Sequence, residues 1–404
     1  VNALVNILVD KGILSPNEAD DVLTEVRSAA RPETVSEKPA GPRWLENTAF
    51  KGDLRLRLQY DSKEGQSDGR DPRYRWRTRF RYGFTKDINE YVTVGARFAT
   101  GKNTDDNSSS QGDARSTNQS WGDLFENWKF NIDEAYFDWH PYKELSLVGG
   151  KRQVKKIMHR VSDLLWDSDI TMDGGTIRLS RKVSDSFELF AYSGSYVLDQ
   201  EQFGDDDNEN PWMYQIQPGA AYTRKGDGFV LKASGAVAYT SMQNVEGRQA
   251  LDFDGADANT LDSANTYVYS YNTFNPNFKI DYYWGGSSDK KYVFGIFGDY
   301  VYNPDPEDTG FLFGAKTGYS KVGKRLGDWQ LKYNYRYLET DAFLAAFSDS
   351  DAYGGQTDVV GHELALKMGL SKDVILGFDY YLLEPVHDTR NTENLFQCDL
   401  LLKF

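Results

Sequence analysis

The sequence lacks most of the features that mark other protein classes. It contains one cysteine in 404 residues, which excludes a disulfide framework and any cysteine-based zinc or iron–sulfur centre. No stretch reaches the eighteen or more consecutive apolar residues of a membrane helix, so a helical membrane protein is excluded. Basic charge is in short supply. The 46 Lys and Arg face 61 Asp and Glu, a net charge of −15, whereas a nucleic-acid binder carries a basic footprint. The four histidines, His140, His159, His362 and His387, show no ligand spacing, so no metal site is expected. No P-loop or nucleophile elbow is present, so no enzymatic activity is expected either. What the chain has in quantity is 9 Trp, 26 Tyr, 23 Phe and 36 Gly, with only 12 Pro, at a mean hydropathy of −0.63. That combination leaves two homes, a large soluble β protein or an outer-membrane β-barrel.

The first 48 residues differ from the rest. They lack the basic and long apolar regions of a secretory signal, as a processed chain would. Leu4, Val5 and Leu8 mark one apolar helical stripe, and Ala19, Val22, Leu23 and Val26 mark a second. Between them Ser15-Pro16-Asn17-Glu18 supplies an N-cap, a proline at the first helical position and the closing Glu of a capping box. Residues 31–43 are Pro-rich and charged, which reads as a linker. Residues 1–48 are therefore expected to form a helical hairpin and linker, either a small appendage or a periplasmic oligomerisation or anchoring element.

From Phe50 onward the hydrophobic period is two. Leu54, Leu56, Leu58 and Tyr60 alternate with Asp53, Arg55, Arg57 and Gln59, and Tyr74, Trp76, Phe80 and Tyr82 alternate with a ladder of arginines. About sixteen such runs of roughly ten residues follow, the length that lets a tilted strand cross a bilayer. The connections separate the two homes. Alternate ones are short (86–89, 141–144, 182–185, 224–228, 285–290, 320–327, 371–373), while the others include long polar stretches at 101–130, 152–173, 241–271 and 338–356. Short turns on one side and long loops on the other are the asymmetry of a membrane barrel. The last run ends Phe396, Cys398, Leu400, Leu402, Phe404 on one face, and a terminal aromatic of this kind resembles the recognition signal of the outer-membrane assembly machinery.

With the apolar face toward lipid, the alternate face lines the interior. That puts Arg55, Arg57, Arg73, Arg75, Arg77, Arg79 and Arg81 on one stretch of inner wall, with Arg97, Lys151 and Arg178 joining them. So many arginines in a dry core would be prohibitively costly without partners, and this predicts a hollow, water-filled lumen. The connection from Lys151 to Gly175 is unlike the other loops. It carries an apolar cluster, Val161, Leu164, Leu165 and Trp166, and then Asp167, Asp169 and Asp173. A loop with hydrophobes of its own must pack somewhere, and the barrel interior is the available place.

The segment SDLLWDSDITMDGG, Ser162–Gly175, together with the strand pattern over about residues 50–404, resembles the sixteen-stranded bacterial porins, specifically a branch known as "putative porin". The resemblance implies an all-β, 16-stranded antiparallel transmembrane β-barrel (49–404) with a short N-terminal helical periplasmic leader (1–48). It implies that loop 151–175 folds into the lumen as a constriction. The acidic side would be Asp163, Asp167, Asp169 and Asp173, set against Arg55, Arg57, Arg75, Arg77, Arg79 and Arg97. It also implies a homotrimer in the outer membrane of a Gram-negative bacterium, in contact with lipid and lipopolysaccharide. Opposed charges across a narrow passage create a transverse field that favours water, ions and small hydrophilic solutes. The arginine ladder is also similar to that of phosphate-selective porins, in which guanidinium groups hand an anion along. The acidic loop and the Asp205-Asp206-Asp207 run weigh against that, so weak selectivity is expected. A barrel acting as receptor or structural scaffold for a partner is the other alternative. No cofactor is expected. Asp252-Phe-Asp254-Gly-Ala-Asp257-Ala-Asn259 loosely resembles a calcium loop but lacks its twelfth-position Glu and its helices.

Overall fold

The computed structural model describes residues 45–63, 72–101, 114–122, 127–199, 210–250, 258–286, 291–387 and 392–404, with a few isolated residues before 45. The chain divides into two compact units, Val1–Thr48 and Ala49–Phe404. Most of the first unit lies outside the described residues. Within it the capping box is formed as the sequence predicts. The Ser15 amide donates to Glu18 Oε2 (2.8 Å) and the Glu18 amide donates back to Ser15 Oγ (3.3 Å).

The second unit is built from sixteen long strands. They are β1 (Thr48–Lys63), β2 (Arg73–Asn89), β3 (Val92–Thr100) and β4 (Phe130–Tyr142), then β5 (Leu145–Gln153), β6 (Thr171–Lys182), β7 (Phe187–Val197) and β8 (Trp212–Gly226). The second half comprises β9 (Phe229–Gln243), β10 (Tyr271–Trp284), β11 (Tyr292–Asn303) and β12 (Asp308–Tyr319), then β13 (Trp329–Leu338), β14 (Val359–Ser371), β15 (Val374–Pro385) and β16 (Glu393–Lys403). Each strand pairs with its sequence neighbours, and β16 pairs antiparallel with β1 from Asp53↔Lys403 to Lys63↔Glu393. The sheet is therefore a closed antiparallel barrel with no free edge. A two-residue strip, Gln119–Ser120, extends it beside β2 above the end of β3.

The barrel is inside out. On β10, Phe274, Phe278, Ile280 and Tyr282 are exposed while Thr273, Asn275, Asn277 and Asp281 are buried. Apolar residues outward and polar residues inward is the arrangement that lipid demands. The loop parity is equally regular. Two-residue turns at 90–91, 143–144, 227–228 and 372–373 and longer ones at 183–186, 285–291 and 320–328 close one end. Gly228 (φ 77°) and Asp373 (φ 62°) supply the left-handed residue that two of these turns use. The other end carries the long connections 101–129, 154–170, 198–211, 244–270 and 339–358, with shorter ones at 64–72, 304–307 and 386–392.

Candidate functional site: the charged lumen and its inserted loops

Alternation puts the β1 and β2 arginines on the inward face, and the same alternation puts acids beside them. Arg57 is held by Asp399 through two bonds (Nε–Oδ1 2.7 Å, Nη2–Oδ2 2.9 Å) and by Asp351 at 3.0 Å. Arg55 bonds Asn118 (2.5 Å) and lies 3.5 Å from Asp399. Asp53 accepts from Arg79 (2.8 Å) and Arg81 (2.9 Å), and Asp61 accepts from Arg73 (2.7 Å), with Arg75 at 4.0 Å. Arg77 donates to Ser116 (3.1 Å) and Gln59 (3.4 Å).

A β-bulge completes the cluster. The β3–β4 register slips between Arg97 and Phe98, so that Arg97 faces Glu134 while Phe98 faces Ile132. The residue between, Asp133, is left over, and a bulge re-aims side chains in this way. Asp133 and Glu134 are both buried, and both pair with Arg97. Glu134 also takes Arg152 at 2.6 Å, whose guanidinium stacks over the Tyr136 ring at 3.5 Å.

The connection from β5 to β6 begins with one helical turn, Val154–Ile157, and then crosses the lumen. His159 reaches the far wall. Its amide donates to Gln217 on β8 (2.7 Å), its Nδ1 bonds Asn277 on β10 (2.6 Å) and its Nε2 bonds Ser234 on β9 (3.0 Å). Ser162 donates to Asp299 on β11 (2.6 Å). The chain then turns back, and Asp169 meets Arg81 (3.1 Å), Arg79 (3.9 Å) and the Thr117 hydroxyl (2.9 Å). Apart from Thr117, which lies in the connection 101–129, each of these contacts is to an inward face, so the loop is strung from wall to wall.

A second loop packs on the first. Phe343 is 1% exposed, and its ring meets Trp166 edge-on at 5.0 Å, with Phe347 5.2 Å from Trp166 and 6.4 Å from Phe343. The Asp167 amide donates to Phe347 O (2.8 Å), and Ser350 donates to Asp167 through its amide (2.9 Å) and hydroxyl (2.8 Å). Arg115 donates to the carbonyls of Ala345 (3.1 Å) and Gly355 (2.7 Å). Gly355 has φ +87°, and a Cβ there would lie 2.3 Å from Arg115 Nη1, so glycine is required. Val301, Leu312, Leu338, Val359, Leu383 and Leu395, inward on β11 to β16, enclose the loops in one apolar cluster.

The loop acids feel this packing unequally. Burial raises Asp167, and Asp169 and Asp349 add to the effect. Burial also lifts Asp349 to about 6 despite Arg336 at 2.8 Å. Burial opposes ionisation of Asp169 too, but Arg79, Arg81 and Arg55 outweigh it and hold the carboxyl well below the usual range. Asp351 is likewise held at about 2 by Arg57, Arg77 and Arg55. Asp163, close to Arg160, Lys332 and Arg336, is lowered as well.

The sequence profile of a family described as "Putative porin" matches residues 64–279 and 263–404. The chain belongs to this porin family. No curated protein matches it. Among solved structures it is similar to Pseudomonas putida OprB in its high-pH form, at 10% identity and TM-score 0.54, covering 89% of this chain and 94% of that one. The outer membrane channel DcaP of Acinetobacter baumannii matches at 12% identity and TM-score 0.45, over 88% of this chain and 97% of that one. At 10% identity the likeness to OprB is one of fold. Family and barrel together make this protein a porin, a channel of the outer membrane.

The porin's interior departs from the sequence reading in four ways, the first being that among the loop acids only Asp169 meets the arginine wall, while Asp163 pairs with Arg160 and Asp167 is held by Ser350. Lys151 and Asp173 do not join the lumen cluster. They pair with each other (2.6 Å), and Asp173 shares its face of β6 with the exposed Ile177 and Leu179, so the pair lies on the outward side near the rim. The inserted segment is correspondingly shorter than 151–175, because 151–153 and 171–175 are paired strand. Finally, the arginines do not stand in an open hollow. Arg57 and Arg79 are 3% and 7% exposed, and an apolar cluster packs the long loops against the inward faces of β11 to β16. The wall acids Asp53, Asp61, Asp133, Glu134 and Asp399 make this possible, since a buried cation is tolerable when paired and hydrogen-bonded. Arg178 does face inward, near Asp138 (3.7 Å) and the Lys156 carbonyl (3.3 Å). Phe404 pairs its backbone with Gly52 and packs on Phe80. Asp205–Asp207, Asp252, Asp254 and Asp257 lie outside the described residues. Asn259 bonds the second loop at Thr340 O and Phe343 O (2.8 and 2.9 Å).

Proposed function

We propose that the porin passes ions and small hydrophilic solutes by passive diffusion, with its short turns in the periplasm and its aperture set by loop 154–170 backed by loop 339–358. The support is the wall-to-wall course of the first loop, from Gln217 and Asn277 on one side to Arg79 and Arg81 on the other. Selectivity is weak in this reading. An anion relay needs guanidinium groups free to pass a ligand along, and most of the ladder is engaged by Asp53, Asp61, Asp351, Asp399 and Asp169. Folded protein in a planar bilayer should give stepwise conductance, with a reversal potential in a salt gradient close to zero. Arg75→Gln with Arg77→Gln should move that potential toward cation preference, because the wall acids keep their other partners. Well-folded protein with no conductance, or a reversal potential near the full anion Nernst value, would overturn the proposal.

A further inference from the structure

The end of the lumen nearest the short turns carries a second basic feature that the ladder does not explain. Lys232, Lys279, Lys316, Lys332, Lys367 and Lys403 stand on β9, β10, β12, β13, β14 and β16. Each has the inward parity of its strand, alternating with exposed outward residues such as Tyr239, Ile280, Phe313, Tyr333 and Met368. All six lie within five residues of their strand's end on the short-turn side of the barrel, Lys403 being the last residue of β16, which is within about 17 Å at the rise of a strand. They form a belt around half of the circumference, on the opposite side of the inserted loops from the rim.

Charge in this belt is not balanced among the described residues. Four acids share its strands, of which Asp399, inward on β16 four residues from Lys403, is already engaged by Arg57 and Arg55. Asp281 takes Lys316 (2.9 Å) and Lys279 (3.4 Å), Glu363 takes Lys332 (2.5 Å), and Asp379 faces inward on β15. Lys232, Lys367 and Lys403 are exposed to the lumen and form no ion pair among the described residues. Lys232 leans over the Tyr283 ring at 5.9 Å. The intervening β11 and β15 offer Gly295, Phe297, Ile375 and Gly377 inward at this height, which add no charge. The arginine ladder, by contrast, is engaged by carboxylates and loop atoms. Excess like charge on a concave, low-dielectric wall concentrates counter-ions.

We infer that this belt is a binding vestibule for small multivalent oxyanions, carboxylates or phosphates, at the short-turn mouth. It adds sidedness to the diffusion channel proposed above and rests on that reading. Lys367 and Lys403, two strands apart on the inward face, can share the oxygens of one anion without fixing one geometry, while Lys232, five strands from Lys367 and so about 24 Å along the wall, adds to the attracting field. Net selectivity stays weak, while a multivalent anion presented from this end is captured more strongly than one presented from the loop end.

Citrate is the probe. Added to one side of a bilayer holding oriented channels, it should reduce current from the short-turn side at concentrations where the loop side is unaffected. Lys232→Gln, Lys367→Gln and Lys403→Gln together should weaken that block by about tenfold, the low end of what charged clefts achieve. None of the three forms an ion pair among the described residues, although Lys367 is the lysine that acts most on Asp379, and heat-modified mobility on a gel checks that the barrel is folded. Lys143→Gln, in a turn at the same end, should leave the block unchanged. Equal block from both sides, or a block indifferent to the triple substitution, overturns the belt. Calorimetric titration of citrate into folded protein in detergent reads the same site without conductance. Citrate binding lost in the triple variant, in protein that fails to conduct, would refute the diffusion reading and leave the belt standing. Conducting wild-type protein that binds no citrate would refute the belt alone.

Discussion

Arg57 is almost fully buried inside a membrane barrel, and its environment shows how the lumen tolerates cations. Two bonds to Asp399 and one to Asp351 satisfy the guanidinium fork. The desolvation of such a group is offset only while its partners remain. Asp399→Ala should therefore lower barrel stability by about 3–5 kcal/mol, the usual cost of stranding one member of a buried pair. The loss of the heat-modifiable band at lower temperature would register it, and an unchanged transition would show that the pair is solvated. Asp349 behaves in the opposite sense. Its carboxyl ionises near 6 in the packed loops, pushed up by burial, so the packed state holds a proton that the released loop gives up. Between about pH 4 and about 6 the packing loses stability as pH rises, and above that the cost is constant. Asp351, held at about 2, contributes stability that is lost only when the pH falls below about 4. Open-channel noise should thus be lower at about pH 5 than at about pH 8, and Asp349→Asn should remove the difference. Equal noise at both values in the wild type would count against this coupling.

At the scale of elements, the inserted loops behave as one small folded body. Trp166, Phe343 and Phe347 form its core, and Arg115 and Asn259 tie it to two further connections. Such a body is a poor candidate for free flapping, since every strand-to-loop tether must break first. Excising Met158–Trp166 removes the crossing at its middle and should raise single-channel conductance about twofold or more, as removal of a lumen obstruction does. Conductance unchanged by the excision would mean that the current runs elsewhere. The bulge at Asp133 is the other decisive element. Strict alternation would send Asp133 or Glu134 outward, and the slip in register brings both onto Arg97 and Arg152.

For the whole molecule, closure of β16 on β1 leaves no exposed edge, and the outward face is a continuous apolar and aromatic surface. Interior and exterior are thereby exchanged relative to a water-soluble sheet. The low mean hydropathy is an average over these two faces. The net acidity hides a further segregation, with arginines gathered on β1 to β3 and lysines at the short-turn end of β9 to β16.

The sequence by itself determined the barrel. A period of two sustained from Phe50 to Phe404, with turns such as Asp227-Gly228 at alternate connections, admits few other folds, because each strand must show one face to lipid. It also determined that Arg55 to Arg97 share an inner wall and that the Trp166 loop needs a place to pack. Only the tertiary structure decided what those residues meet. Asp399 is 342 residues from Arg57, and Phe343 is far from Trp166 in the chain. Pairings of that separation depend on strand register and closure, which no local pattern encodes. The outward turn of Lys151 and Asp173, the bulge at Asp133 and the entry of loop 339–358 into the lumen follow from the same cause. Alternation fixes which face a side chain takes, and it does so only as long as the register holds.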